Sequence, residues 1–156
     1  MLACQSLSKT YRTERGDIAA VIDLDLAVEA GRYAAIVGRS GSGKSSLMAM
    51  IGGLSRPSGG TVAIDGTDIW GLGDDALARF RNARIGFVFQ QANLLPSLTA
   101  LEQIQVMNEL GERGSRRRRV EVRDRGRELL AAVGLDGFAD RRPHQLSGGQ
   151  RQRVNL

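Results

Sequence analysis

The chain is short of cysteine, lysine, histidine, proline and aromatic residues, and each shortage removes a class of function. Cys4 is the only cysteine, so neither an intrachain disulfide nor a cysteine-built zinc cluster is available, and a reducing compartment suits the chain best. Aromatic residues fill only 4% of 156 positions, so any core is aliphatic. No eighteen apolar residues run together, and Met1–Asp17 holds no apolar signal-peptide core; neither a membrane span nor a secretory leader is expected. Glycine is the exception in the other direction, with 20 residues and no collagen triplet period. Hydrophobic residues at 42% and charged residues at 25% belong to a globular chain rather than a disordered one. The net charge is +5, and Lys9 and Lys44 are the only lysines among 22 basic residues. That balance suits nucleic acid, acidic lipid or phosphate ligands and does not choose among them.

Along the chain the patterning predicts a mixture of strands and helices. Val21–Glu29 alternates, with Ile22, Leu24, Leu26 and Val28 set against Asp23, Asp25 and Ala27, as a half-buried strand does. Tyr33–Val37 and Ile85–Phe89 are short apolar runs bounded by turn residues, the pattern of buried parallel strands. Lys44–Leu54 predicts a helix closed by Gly52 and Gly53, and Thr61–Ile64 a strand turning at Asp65-Gly66. Asp74 is the expected cap of a helix over Asp75–Asn82, Thr99 of one from Ala100 to about Leu110, and Ser147 of a last helix. Between them Arg116–Val133 reads as a helix ended at Gly134.

Two segments carry chemistry. Gly38-Arg39-Ser40-Gly41-Ser42-Gly43-Lys44-Ser45 matches G-x-x-x-x-G-K-[ST] at every fixed position, between an expected strand and an expected helix. Phosphate oxygens need several backbone N–H groups aimed at one point, which a tight glycine-rich loop feeding a helix N-terminus provides. Lys44 supplies a point charge for the terminal phosphates, the Ser45 hydroxyl a ligand for Mg2+, and Ser46 completes the first turn. The second segment is Leu146-Ser147-Gly148-Gly149-Gln150. Ser147 and Gln150 have capping-box spacing, which an ordinary helix start explains. Gly148 and Gly149 in the first turn each weaken a helix by roughly 1 kcal/mol, a cost that suggests close approach of something to the backbone.

In this order, the phosphate loop, then Phe87-Val88-Phe89-Gln90, then LSGGQ, the sequence resembles the ATP-binding subunit of ABC transporters, and its Ile85–Gln90 and Leu94–Ala100 segments are most similar to lipoprotein-release and macrolide- or peptide-export types. The resemblance implies an α/β P-loop NTPase: a RecA-like core with an antiparallel β subdomain over about 1–95, and an α-helical subdomain over about 96–150, in one domain. It implies ATP and Mg2+ as ligands, with Tyr11 stacking on adenine and Gln90 contacting the metal or its water. Ser147, Gly148, Gly149 and Gln150 would grip the terminal phosphate of ATP held by a second ATP-binding subunit, in a head-to-tail dimer. A membrane permease is the other implied partner, nucleic acid is not expected, and the location is cytoplasmic, peripheral at the inner membrane.

No carboxylate follows Gln150, so the Walker B aspartate, the catalytic glutamate and the switch histidine of that family have no counterpart here, and the core is expected to be incomplete towards the C-terminus. Asp65 and Asp136 also end apolar runs, but glycine follows each, and they read as turn residues; His144 precedes the signature and takes no catalytic role. Without a base to activate water, the chain alone is expected to hydrolyse ATP negligibly, although the family is one of ATPases. Two further readings stay open: a soluble ABC-type ATPase acting on nucleic acid or ribosomes, and a non-catalytic fragment. Arg116–Arg119 is the densest charge run and reads as a solvated helix start, with acidic lipid or nucleic acid as the sharper alternative.

Overall fold

A computed structural model describes residues 1–14, 16–109 and 116–156, with the side chains of 107–109 and 116–119 outside the description. The chain divides into two compact units, Met1–Phe87 and Val88–Leu156.

The first unit is built on four antiparallel strands: β1 (Leu2–Thr13), β2 (Gly16–Val28), β3 (Gly59–Ile64) and β4 (Thr67–Asp68), ordered β2-β1-β3-β4. β2 starts five residues before the alternating segment because Asp17, Ile18 and Ala19 pair with Arg12, Tyr11 and Thr10 across a hairpin. The alternation also breaks inside β2. Asp23 takes φ 43°, and the register slips between Leu7↔Leu24 and Lys9↔Val21. One extra residue reverses the phase of the strand. Val21 therefore joins Leu24 and Leu26 against the core, and Ile22, expected on that face, is 73% exposed. A matching bulge sits on β1 at Ser6, φ 47°. Side chains hold both: Asp25 Oδ1 accepts the Ser6 N–H at 2.7 Å, and Ser8 Oγ accepts the Asp23 N–H at 2.9 Å.

Helix α1 (Lys44–Ile51) packs Leu47 and Met50 onto Cys4, Leu7 and Val62 of the sheet, with Ile69 and Leu77 closing the cluster. Burial raises the pKa of the Cys4 thiol. α1 ends three residues before the expected Leu54, in a Schellman turn: Gly53 N–H donates to Met50 O at 3.1 Å and Leu54 N–H to Ala49 O at 2.8 Å. Asp65-Gly66 makes the expected left-handed turn between β3 and β4, with φ 48° and 80°. Helix α2 (Asp74–Arg84) begins one residue earlier than expected. Gly73 is its N-cap without a side-chain bond, and Asp74 and Asp75 lie in the first turn, where they face the positive end of the helix dipole.

Tyr33–Val37 and Ile85–Phe89 form no strands. Tyr33, Val37, Val88 and Phe89 are exposed, and the half-buried Phe87 ring fills the space over Gly52. An apolar run becomes a buried parallel strand only when strands on either side accept its ladder bonds. Among the described residues no strand pairs with either run.

The second unit is helical: α3 (Ala100–Glu109), α4 (Arg116–Ala132) and α5 (Gly148–Val154). Thr99 caps α3 as expected, its Oγ accepting from Glu102 N–H at 3.3 Å while Glu102 accepts from Thr99 N–H at 2.8 Å. Ala100, Leu101, Leu130, Leu135, Leu146 and Val154 form the core. Gly134 ends α4 at φ 69°, its N–H on Ala131 O and the Leu135 N–H on Leu130 O, which folds Leu135 into that core. The Arg116–Arg119 side chains lie outside the described residues. No helix among those described is long and apolar enough to cross a membrane.

Candidate functional site

The phosphate-loop residues are on the first unit. Gly38–Ser42 are exposed, Gly43 is the left-handed N-cap of α1 (φ 85°), and Lys44, Ser45 and Ser46 form its first turn. Gly43 is glycine for two reasons. Its φ disfavours an L side chain, and a Cβ there would strike the carbonyl of Ala20. That carbonyl belongs to β2 beside the register slip between Lys9 and Thr10, so the edge strand fixes where the loop enters the helix. At Gly38 an added Cβ would meet Ser42 Oγ at 2.7 Å. Gly38 and Gly43 thus serve the fit of the loop to its own scaffold.

Lys44 closes the loop upon itself. Its Nζ donates to Gly38 O at 2.8 Å, to Arg39 O at 2.6 Å and to Ser42 Oγ at 3.4 Å. Ser42 N–H donates to Arg39 O at 3.3 Å. An ammonium group thus sits inside a ring of backbone whose next element is the positive end of a helix. Among the described residues no group of three or more His, Cys, Asp or Glu side chains is placed to hold a metal ion.

Tyr11 shares this unit. The residue is 40% exposed, and its hydroxyl donates to Ser46 Oγ at 3.2 Å. The Lys9 ammonium lies over the ring, 5.1 Å from its centre, and is held by a 2.6 Å bond to Arg56 O. The Ser46 hydrogen bond, with smaller contributions from Ser55 and the Lys9 charge, lowers the pKa of the Tyr11 phenol. Neither the Tyr11–Ser46 bond nor the Lys9–ring contact was expected from the sequence. The signal for the second was present: residues two apart on a strand share a face, and Lys9 and Tyr11 are two apart.

Gln90 and the signature residues are on the second unit. Gln90 lies exposed in a bend. Ser147 caps α5 through the expected box: Gln150 N–H donates to Ser147 Oγ at 3.2 Å and Ser147 N–H to Gln150 Oε1 at 2.7 Å. These bonds occupy acceptor atoms; the hydroxyl hydrogen of Ser147 and the amide hydrogens of Gln150 are donors, the kind of group an anion needs. Gly148 and Gly149 are exposed. A Cβ on Gly149 would meet nothing within 4 Å and one on Gly148 only the tip of Arg151, at 4.0 Å. Neither has the positive φ that would demand glycine. Nothing among the described residues explains these two glycines. Arg151 ties the preceding turn to α5, donating to Leu146 O at 2.8 Å and Pro143 O at 3.3 Å.

Residues 21–156 match the family model described as ABC transporter. The chain is 44% identical over its full length to the lipoprotein-releasing system ATP-binding protein LolD of Chromohalobacter salexigens, and spans 64% of that protein. It is 41% identical over 99% of its length to the macrolide export ATP-binding/permease protein MacB of Rhodopseudomonas palustris, and spans 23% of it. Among solved structures, the ATP-binding cassette MJ0796 in a dimeric post-hydrolysis state bound to ADP and Pi superposes with a TM-score of 0.86 at 41% identity, covering 99% of this chain and 67% of that one. A second dimeric structure of MJ0796, a bacterial ABC transporter cassette, gives 0.87 at 41% identity, covering 100% and 67%. The chain thus spans about two thirds of the LolD and MJ0796 chains it matches.

Proposed function

The chain belongs to the ABC transporter family, and from that membership we propose that it is the nucleotide-binding part of an ABC transporter, binding ATP and coupling binding and hydrolysis to the work of a membrane permease. The named relatives favour the export or lipoprotein-release type. The observation that carries the proposal is the loop around Lys44: an ammonium enclosed by Gly38 and Arg39 carbonyls at the N-terminus of α1. A polyphosphate tail satisfies that ammonium and the loop N–H groups together.

The residues fit a magnesium-bound nucleotide. Ser45, exposed in the first turn of α1, offers the metal a hydroxyl oxygen; Mg2+ would neutralise charge on the phosphates. Ser46 donates to a phosphate, and the Tyr11 face away from Lys9 takes the adenine. Ser147, Gly148, Gly149 and Gln150 present donors and bare backbone to the terminal phosphate of a nucleotide on a second subunit; the lack of any internal reason for Gly148 and Gly149 supports this role. The dimeric MJ0796 cassette supports a paired arrangement. Such a subunit works at the cytoplasmic face of the inner membrane, docked on its permease.

Binding and hydrolysis make separate demands. Holding phosphates needs the loop; activating water needs a base within hydrogen-bond reach. The loop meets the first demand, so we expect the chain to bind MgATP. Calorimetric titration with MgATP tests this. Lys44→Ala should weaken binding at least tenfold, the equivalent of about 1.4 kcal/mol. Equal affinity in wild type and variant would overturn the proposal.

A further inference from the structure

Tyr11 Oη and Ser46 Oγ are 3.2 Å apart, with the phenol donating. A hydroxyl that accepts a hydrogen bond keeps its own hydrogen for another partner and becomes the better donor for it, because successive hydrogen bonds polarise one another. Ser46 is the third residue of α1, in the turn that begins at Lys44 and carries the loop's charge. The phenol is itself fixed from the other side: the Lys9 ammonium lies over its ring at 5.1 Å, and Arg56 O holds that ammonium at 2.6 Å. The Arg56 carbonyl, Lys9, Tyr11 and Ser46 therefore form one continuous linkage from the β3-side loop through β1 to the phosphate-loop helix. A ring serving only as a stacking platform needs no hydroxyl and no serine opposite it.

We propose that Tyr11 is a positioning residue for the polyphosphate: its hydroxyl aims and polarises the Ser46 hydroxyl, which donates to the bound phosphate chain. This role is distinct from stacking on the base and rests on the reading of the Lys44 loop as a nucleotide site.

The two roles separate cleanly in binding. Tyr11→Phe keeps the ring and removes the hydroxyl. Inorganic tripolyphosphate carries the charge of the nucleotide tail and no base. Calorimetry with magnesium tripolyphosphate and with MgATP should give a loss of roughly 3- to 10-fold for Tyr11→Phe with both ligands, the size of one hydrogen bond. Ser46→Ala should lose a similar factor, the double variant no more than the larger single loss, and Ser46→Thr, which retains a hydroxyl, should restore affinity. A merely structural bond would lower the melting temperature of Tyr11→Phe and leave tripolyphosphate affinity unchanged. That result, or losses that multiply in the double variant, overturns the inference. Lys44→Ala is the control for the site itself: if wild type binds MgATP and Lys44→Ala does not, while Tyr11→Phe binds like wild type, the nucleotide reading stands and this inference falls.

Discussion

Single residues in this chain act mostly by supplying one missing hydrogen-bond partner. Asp25 and Ser8 satisfy the bulged amides of Ser6 and Asp23. Gln103, buried under the 94–98 loop, donates to Leu95 O at 2.7 Å and Leu98 O at 3.1 Å while accepting from Leu95 N–H. Glu102 takes the Thr99 amide at the start of α3, and that bond lowers its carboxyl pKa. A carboxylate whose pKa is lower folded than unfolded stabilises the fold above its unfolded value, and the stabilisation is lost as pH falls through the folded value. The second unit should therefore lose stability below about pH 4, where free glutamate protonates. Glu102→Gln keeps an oxygen acceptor at the cap and cannot titrate. Thermal melts followed by helical circular dichroism should show a shallower acid slope for Glu102→Gln than for wild type; identical slopes would remove Glu102 from the account.

At the scale of elements, two glycines near α4 separate conformational strain from crowding. Gly134 has φ 69° and open space around a would-be Cβ, so its cost of substitution is conformational only. Gly134→Ala should destabilise the second unit by about 1 kcal/mol, the usual penalty for a left-handed alanine. Gly126 has ordinary helical backbone, and a Cβ there would lie 2.8 Å from Leu101 Cδ1 on α3. That atom is the end of a flexible side chain, and alanine gains about 1 kcal/mol of helix propensity over glycine. Gly126→Ala should therefore come out within about 0.5 kcal/mol of wild type; urea unfolding of both variants checks the contrast. The same distinction explains what the sequence made legible. Local signals such as the Thr99 cap, Ser147 with Gln150, Asp65-Gly66 and Gly134 act over a few residues, and each appears where its spacing put it. The phase of β2 was not legible, because nothing in Ile22-Asp23 announces a bulge; the bulge follows from pairing with β1. Nor was the Tyr11–Ser46 bond, which joins residues 35 positions apart. The phosphate loop was legible because its spacing is local, even though its Gly43 answers to a carbonyl on a distant strand.

Over the whole molecule, order follows hydrogen-bond partnership rather than hydropathy. Tyr33–Val37 and Ile85–Phe89 are among the most apolar stretches of the chain, yet Tyr33, Val37, Val88 and Phe89 are exposed, while the mixed sequence of β1 is paired on both sides by β2 and β3. Amide hydrogen exchange reads the distinction directly, because protection requires a bond that survives local opening. In the 156-residue chain at low concentration, amides of β1 and β3 and of the Leu130 turn of α4 should exchange slowest. Amides of 33–37 should exchange at rates near those of an open chain. Saturating MgATP should then slow residues 38–50 selectively, since a ligand at one hundred times its Kd stabilises the form it binds by about 2.7 kcal/mol. In Lys44→Ala the nucleotide should leave the exchange pattern unchanged. Strong protection of 33–37 before nucleotide is added would mean that this run has found a strand partner, and the order of stability described here would have to be redrawn around it.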